Sequence, residues 1–379
     1  MPDLFSRLLD LNNIIKAIQQ TYKKSYFKES SQRIEHNLIP TALRLRDDLL
    51  NGTYQQAPTK PFIYNERGHI RVIQALTPYD ITLQHLLCNE VLIPELYKYL
   101  IHDNGASIKG KGISFTRRRF EQHLRSYIKE HGTTGYILLI DFKKFFDNID
   151  HELLYQSFKT KLQDDRILNL VKSILKANEV DISFNHDLEN QIFNSLEYSK
   201  IPNRLKTKQY YMRKSLGIGS PISQVAGVFY PTPIDTYCKY VRRCKYYARY
   251  MDDIYIIHHD KQELQDILQG IIEQVNKLKI TVNLAKTHIQ PITKEFVYLK
   301  TKYLIKPNGK ILKRIHPTTL NRERRKLRLL ARKHIPKQVL INQFKSWIGD
   351  KSFYKSNKSI KRISTYFTLL LLSTYYQED

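Results

Sequence analysis

The chain has 379 residues, 41 % of them hydrophobic, which is enough apolar material for one large domain or two to three modest ones. No apolar run approaches the roughly 18 residues of a membrane span, and the start Met1-Pro2-Asp3-Leu4 lacks the apolar core of a signal peptide. Three cysteines without Cys-x-x-Cys spacing argue against a disulfide framework and a zinc site, so a reducing cytoplasm is the natural setting.

Sixty-two Lys plus Arg against 36 Asp plus Glu give a net charge of +26. Such a surplus draws polyanions at long range and favours a phosphate backbone through counterion release. The basic residues are interleaved with 26 Tyr and 16 Phe, whose rings can stack on bases. Charge alone does not identify an enzyme.

Residues 1–58 read as helical and basic. Leu8, Leu11, Ile14, Ile15 and Ile18 recur at helical spacing, and Pro40 suits the first turn of a second helix bearing Ala42, Leu43, Leu45, Leu49 and Leu50 on one side. The turn Tyr64-Asn65-Glu66-Arg67-Gly68 precedes a β-like stretch, His69-Ile70-Arg71-Val72-Ile73. A buried helix is expected over 79–100, a Gly- and Lys-rich loop over 103–112, and a basic helix from Phe115 to Ile128. The apolar run Tyr136-Ile137-Leu138-Leu139-Ile140 reads as a buried strand ending at Asp141. Then follow a helix over 151–178, a polar irregular stretch over 180–213 and a helix over 221–243. Cys244 to Ile257 reads as two strands around Met251-Asp252-Asp253. A helix over 261–279, a strand and hairpin through 305, and a basic helical tail from about 315 complete the chain.

The chemistry concentrates on acids. Asp141 ends a buried strand, and Asp252 and Asp253 stand together in a tight turn between apolar strands. Two adjacent carboxylates repel each other unless a cation screens them. Mg²⁺ suits them because it takes hard oxygen ligands and keeps positions open for substrate phosphate. Two such ions can activate an attacking hydroxyl and stabilise the leaving oxygen of an in-line displacement. Taken alone, an Asp-Asp dipeptide reads more simply as a polar turn.

The conjunction is more specific. Across about residues 60 to 305 the sequence closely resembles the reverse transcriptase family, with five motifs in the family's order. They are Asp141-Phe142-Lys143-Lys144-Phe145-Phe146-Asp147, Gly219-Ser220-Pro221-Ile222-Ser223-Gln224, Tyr250-Met251-Asp252-Asp253, Asn283-Leu284-Ala285-Lys286-Thr287, and a primer-grip hairpin from Phe296 to Tyr303. The resemblance implies an α+β right-hand polymerase fold with an N-terminal helical region (1–58), fingers (59–135), a palm with an antiparallel sheet (136–305, carrying an insertion at about 180–213) and a basic helical thumb (306–379). It implies an RNA-directed DNA polymerase in which Asp141 and Asp252 hold two Mg²⁺ (or Mn²⁺) ions, with Asp253 a less direct ligand. Phe146 matches the steric gate against a ribose 2′-hydroxyl. Arg71 and Lys109 match cations on the incoming triphosphate, and Lys286 the basic residue near the leaving pyrophosphate. Gly219, Ser223 and Gln224 would line the nucleotide pocket, Tyr250 and Met251 would lie under the primer end, and Arg325 and Arg328 would contact template–primer. The implied partners are a non-coding RNA template, dNTPs and the DNA product, with an accessory protein or a second copy as further partners and no membrane.

Other residues read more plainly. Gly110-Lys111-Gly112 is not a Walker loop and reads as template-contacting backbone. His258 and His259 read as strand-end residues, and Arg117-Arg118-Arg119 as phosphate contacts beside the template channel in preference to a solvated helix face. Many family members carry Gln and Pro where this chain has Ile218 and Gln224, a variant that resembles diversity-generating retroelement enzymes and also occurs among defence-associated ones. Lys300 stands near the usual glycine of the primer grip. The leading expectation is a reverse transcriptase on a dedicated RNA, in antiviral defence or diversity generation. The alternatives are template-independent or protein-primed DNA synthesis on the same site, and a non-catalytic RNA-binding scaffold.

Overall fold

In the computed structural model, which describes residues 3–23, 26–66, 68–349, 351, 354 and 357–375, the N-terminal apolar spacing becomes a set of helices. Helix α1 (Leu11–Lys23) buries Ile14, Ala17 and Ile18; α2 (Glu29–His36) follows, and α3 (Leu38–Leu50) buries Ala42, Leu45 and Leu49, with Pro40 in its first turn. Full burial of each of these Ile and Leu side chains contributes about 1.5–3 kcal/mol. Strands β1 (Lys60–Glu66) and β2 (His69–Ala75) pair antiparallel, Lys60 opposite Ala75 and Glu66 opposite His69, so the expected hairpin is present. Arg67 of its turn, like Met1 and Pro2, lies outside the described residues. Helix α4 (Pro78–Leu87) starts where Thr77 accepts the Asp80 N–H at 3.2 Å, and it packs on α1. The helical run continues to Tyr99 through a π turn at Cys88–Leu92, as the spacing over 79–100 predicts. Helix α5 (Ile113–His131) and strand β3 (Tyr136–Ile140) come next.

Two expected helices are broken. The segment over 151–178 forms α6 (His151–Lys159) and α7 (Asp165–Lys176), because two aspartates cap separate helices: Asp150 accepts the Leu153 N–H at 3.0 Å and Asp164 the Arg166 N–H at 3.1 Å. The segment over 221–243 breaks after α8 (Pro221–Phe229), since Pro231 lacks the N–H that continuation requires, and resumes as a short helix (Thr232–Thr236) that runs into a π turn (Tyr237–Val241). Between these helices, 180–213 is irregular as expected but not coreless. Val180–Asp181 pair with Tyr211–Met212, and Ile182, Phe193 and Met212 form a small buried cluster. Strands β4 (Tyr246–Tyr250) and β5 (Asp253–His258) flank the Met251–Asp252 turn, and α9 (Lys261–Lys277) follows.

The chain divides into two compact units. The first comprises 1–116, 140–254 and 265–287; the second comprises 117–139, 255–264 and 288–379. In the second unit the strand order is β5-β3-β6, where β6 (His288–Pro291) pairs antiparallel with β3. Strands β7 (Phe296–Tyr298), β8 (Thr301–Ile305) and β9 (Ile311–Ile315) form a separate antiparallel sheet with β8 in the middle. Phe120 of α5 anchors this unit, its ring centroid 4.6 Å from Tyr255, 4.9 Å from Tyr303 and 5.0 Å from Tyr298. The basic tail forms α10 (Pro317–Arg332), α11 (Lys337–Gly349) and α12 (Asn357–Tyr375), packed around Leu327, Leu340, Phe344, Ile363 and Phe367.

His151 gives the first unit a pH dependence. Its ring is buried with Nε2 2.7 Å from the Ser215 carbonyl oxygen, and burial holds its pKa below the ordinary histidine value. The folded state therefore favours the neutral ring: its contribution is complete above the unfolded value near 6.5 and is lost as pH falls below it. Urea unfolding of the wild type should lose stability below about pH 6.5 at up to about 1.4 kcal/mol per pH unit from this one proton, and His151→Gln should remove that part of the slope.

Candidate active site

All three sequence-predicted acids lie in the first unit. Asp141 leaves β3 and its backbone runs antiparallel to 281–283: the Lys143 N–H donates to the Thr281 carbonyl at 2.8 Å, and the Asn283 N–H to the Asp141 carbonyl at 2.8 Å. The chain then turns tightly, Lys286 N–H and Thr287 N–H both donating to the Asn283 carbonyl. That turn returns two side chains to the carboxylate. Asp141 Oδ2 accepts from Asn283 Nδ2 at 2.8 Å and faces Lys286 Nζ at 3.0 Å. The sequence reading set Lys286 near departing pyrophosphate and did not foresee its contact with Asp141, nor that of Asn283, which stands in the same motif.

Asp252 comes from a different element, the turn between β4 and β5, in which Met251 takes a left-handed backbone (φ 55°). This region is sparsely populated by non-glycine residues and marks a position the surroundings enforce. Burial, and the nearby charge of Asp141, push the Asp252 carboxyl above the usual carboxylate range; its own backbone amide, Lys286 and Arg71 act in the opposite direction. Asp141, Asp252, Lys286 and Arg71 thus share one electrostatic neighbourhood. Arg71, on β2, also pairs with Glu66 at 3.3 Å. Asp253 opens β5 and is partly exposed. Lys109 stands exposed on the 103–112 loop, with no described contact to the carboxylates. Among the described residues no group of three or more His, Cys, Asp or Glu forms a ready-made metal cage. The site offers instead two opposed carboxylates with an ammonium group on one of them.

The wall beside these acids is built by close packing. Gly227 of α8 carries no side chain, and a Cβ there would lie 2.7 Å from the Phe146 ring and 3.6 Å from Met251 Sδ. Phe146, the expected gate, and Met251, the expected primer platform, therefore meet over one glycine. Phe146 opens a short 3₁₀ turn that the 180–213 insertion grips: the Phe193 N–H donates to Asn148 Oδ1 at 2.9 Å, and the Ser195 N–H and hydroxyl donate to Asp147 Oδ2.

The glycine-to-serine motif divides its work. Gly219 needs a backbone that L side chains rarely adopt (φ 117°), and the preceding Ile218 pairs with β2, its carbonyl accepting the Gln74 N–H at 3.2 Å. Ser220 caps α8, accepting the Ser223 N–H at 3.2 Å. Ser223 is buried, and its hydroxyl donates to the Leu216 carbonyl at 2.7 Å, so it shapes the loop from inside. Gln224 is exposed on α8, and Tyr250 is partly exposed. Arg325 and Arg328 are exposed on α10, in the second unit.

Residues 65–303, more than half of the chain, match the family described as reverse transcriptase (RNA-dependent DNA polymerase). The chain belongs to the reverse transcriptase family. Its α+β architecture is the family's right-hand polymerase fold, and its enzymatic class is that of an RNA-directed DNA polymerase, a nucleotidyltransferase. Among curated proteins it is similar to Protein YkfC of Escherichia coli (strain K12), at 20% identity over 279 residues that cover 67% of this chain and 69% of that one. Among solved structures it is similar to telomerase from Candida albicans in complex with a fragment of telomeric RNA, at 12% identity and a TM-score of 0.48; the match covers 86% of this chain and spans 62% of that structure's chain.

The contact at Gly227 is testable by a double-mutant cycle. Gly227→Ala should destabilise the enzyme by about 1–3 kcal/mol through overpacking, and the cost should largely vanish in a Phe146→Ala background, where the opposing ring is gone. Denaturant midpoints of the four proteins measure it; equal costs in both backgrounds would show that the ring is not the obstacle.

Proposed function

We propose that this reverse transcriptase extends a DNA strand on a dedicated RNA template, with Asp141 and Asp252 holding divalent ions (Mg²⁺ or Mn²⁺) and Asp253 assisting less directly. The observation that carries the reading is the meeting of Asp141, Asp252, Lys286 and Arg71 from four separate chain segments. Two carboxylates within repulsive reach suit hard cations, and Lys286 now supplies part of the missing positive charge. When bound, divalent ions would neutralise the phosphates and lower the barrier to attack by the primer hydroxyl. The chain's own groups do the rest. Lys286 stands where it can donate a proton or hydrogen bond to departing pyrophosphate. Arg71 and, from the exposed loop, Lys109 offer fixed charge to the triphosphate. Phe146, packed against Gly227, presents a ring edge to the sugar. Gly219 lets the backbone approach the nucleotide.

The template is an RNA, and the net charge of +26 supports its capture. The exposed Arg325 and Arg328 favour a duplex contact on α10. The apolar Ile218 and polar Gln224 at the motif's two variable places favour a specialised enzyme of phage defence or of a diversity-generating retroelement, working in the cytoplasm with a non-coding RNA and an accessory protein or second copy. No helix among the described residues is long and apolar enough to cross a membrane.

Purified wild type should incorporate dTTP on poly(rA)–oligo(dT), and Asp141→Asn or Asp252→Asn should reduce incorporation to background while the fold, followed by circular dichroism, persists. Activity surviving both changes would defeat the assignment. Phe146→Ala should raise ribonucleotide use relative to deoxynucleotide use by roughly 10- to 200-fold, the range of a single pocket contact.

A further inference from the structure

Arg249 is a charged residue in a strand whose other side chains are uncharged and, Tyr250 apart, buried, and it has no solvent exposure at all. Its donors are occupied in a definite way. Nε and Nη2 form a fork on Asp235, at 2.9 Å to Oδ1 and 2.6 Å to Oδ2. Nη2 also donates to the Val228 carbonyl at 2.9 Å, and Nη1 donates to the Met251 carbonyl at 3.2 Å. Asp235 is equally buried and takes the Tyr247 hydroxyl as well. A buried ion pair of this kind is no efficient source of stability, since apolar residues of similar volume often serve as well or better. What it supplies is a rigid, directional link among three elements that carry the site: the short helix of Asp235, helix α8 beside Gly227, and the Met251–Asp252 turn.

The backbone of the same residue makes a second link. The Arg249 N–H donates to the Asp103 carbonyl at 3.3 Å, and its carbonyl accepts the Gly105 N–H at 3.3 Å. Residues 103–105 begin the loop that carries Lys109. Side chain and backbone of one residue thus hold the acid-bearing turn and the base of the cationic loop. The left-handed backbone at Met251 needs such an outside hold, and the guanidinium bond to the Met251 carbonyl provides one.

We propose that Arg249 is a positioning residue for nucleotide transfer: it fixes the Met251 carbonyl, and through it Asp252, while seating the loop that bears Lys109. The inference rests on the polymerase reading given above. It predicts that loosening the guanidinium fork weakens divalent-ion binding and turnover together, without a matching loss of folding.

Three purified proteins test it: wild type, Arg249→Lys and Tyr247→Phe. The lysine keeps the charge facing Asp235 but has no fork to reach Val228 and Met251 at once. Tyr247→Phe removes a bond to the same buried aspartate without touching the turn. One readout is Mn²⁺ binding, followed by the electron paramagnetic resonance signal of the free ion; the other is kcat and KM for dTTP on poly(rA)–oligo(dT). Arg249→Lys should lose roughly 10- to 100-fold in both Mn²⁺ affinity and kcat, the range for groups that orient metal ligands. Tyr247→Phe should lower the melting temperature and leave both readouts unchanged. If Arg249→Lys does not fold, Asp235→Asn, which keeps the side-chain shape but removes the charge that aims the guanidinium, is read in the same way with the same expectation. Arg249→Lys matching wild type, or both variants losing activity only in proportion to folded protein, would overturn the proposal. A wild type that neither binds Mn²⁺ nor incorporates dTTP would overturn the polymerase reading, and this inference with it.

Discussion

The repulsion between Asp141 and Asp252 is the constraint around which the first unit is arranged. Two carboxylates do not stay near each other in a partly buried site unless rigid backbone holds them and positive charge stands close by. The protein supplies both. Asp141 is fixed by main-chain pairing with 281–283, and Asp252 by a turn whose left-handed residue is bonded from below through Arg249. Lys286 and Arg71 come from two further segments and act on Asp252 in the sense opposite to Asp141. Two carboxylates and two cations thus act within one neighbourhood.

The packing of Phe146 has a different physical basis. At the wall beside the acids, space is set by contact distance rather than charge: the Phe146 ring occupies the volume that a side chain at residue 227 would need. A packed interior transmits such displacements instead of absorbing them. The identity of residue 227 therefore bears on where the ring edge lies, although that residue carries no functional group.

The sequence made the local features legible and left the long-range ones hidden, for a clear reason. An acid after five apolar residues, or two acids in a short turn between strands, is recognisable because the pattern that creates the position lies within a few residues of it. The capping aspartates Asp150 and Asp164 and the proline Pro231 are local signals of the same kind, marking where the two long helical segments divide. By contrast, Asn283 meets Asp141 across 142 residues of chain, and Gly227 meets Phe146 and Met251 only after three elements have folded together. Arg249 did leave a trace, as a cation in a strand otherwise fit for burial, but its partner Asp235 lies on a helix that spacing alone does not point toward it. Ser223 shows the converse case. Its motif resembles one expected to line a nucleotide pocket, yet its hydroxyl is spent on the Leu216 carbonyl, so a residue can belong to a motif by holding the loop's shape.

The insertion at 180–213 follows the same logic. Its polarity and lack of periodicity suggest a passive loop, and a loop with only the small cluster of Ile182, Phe193 and Met212 would have little reason to hold one position. Its order comes instead from hydrogen bonds at its centre, where Phe193 and Ser195 bind Asn148 and Asp147. Those two residues directly follow Phe146 in the same 3₁₀ turn. Phe146 is consequently fixed from two directions, by the glycine gap of α8 on its ring and by the insertion on its backbone. Burial pushes the Asp147 carboxyl upward, while the Ser195 backbone and hydroxyl bonds and the Lys144 charge oppose that shift, so the latch rests on a buried carboxylate that these groups stabilise. A polar insertion can thus impose more precision on a site than the apolar core around it, because each hydrogen bond specifies a direction where a hydrophobic contact specifies only a volume.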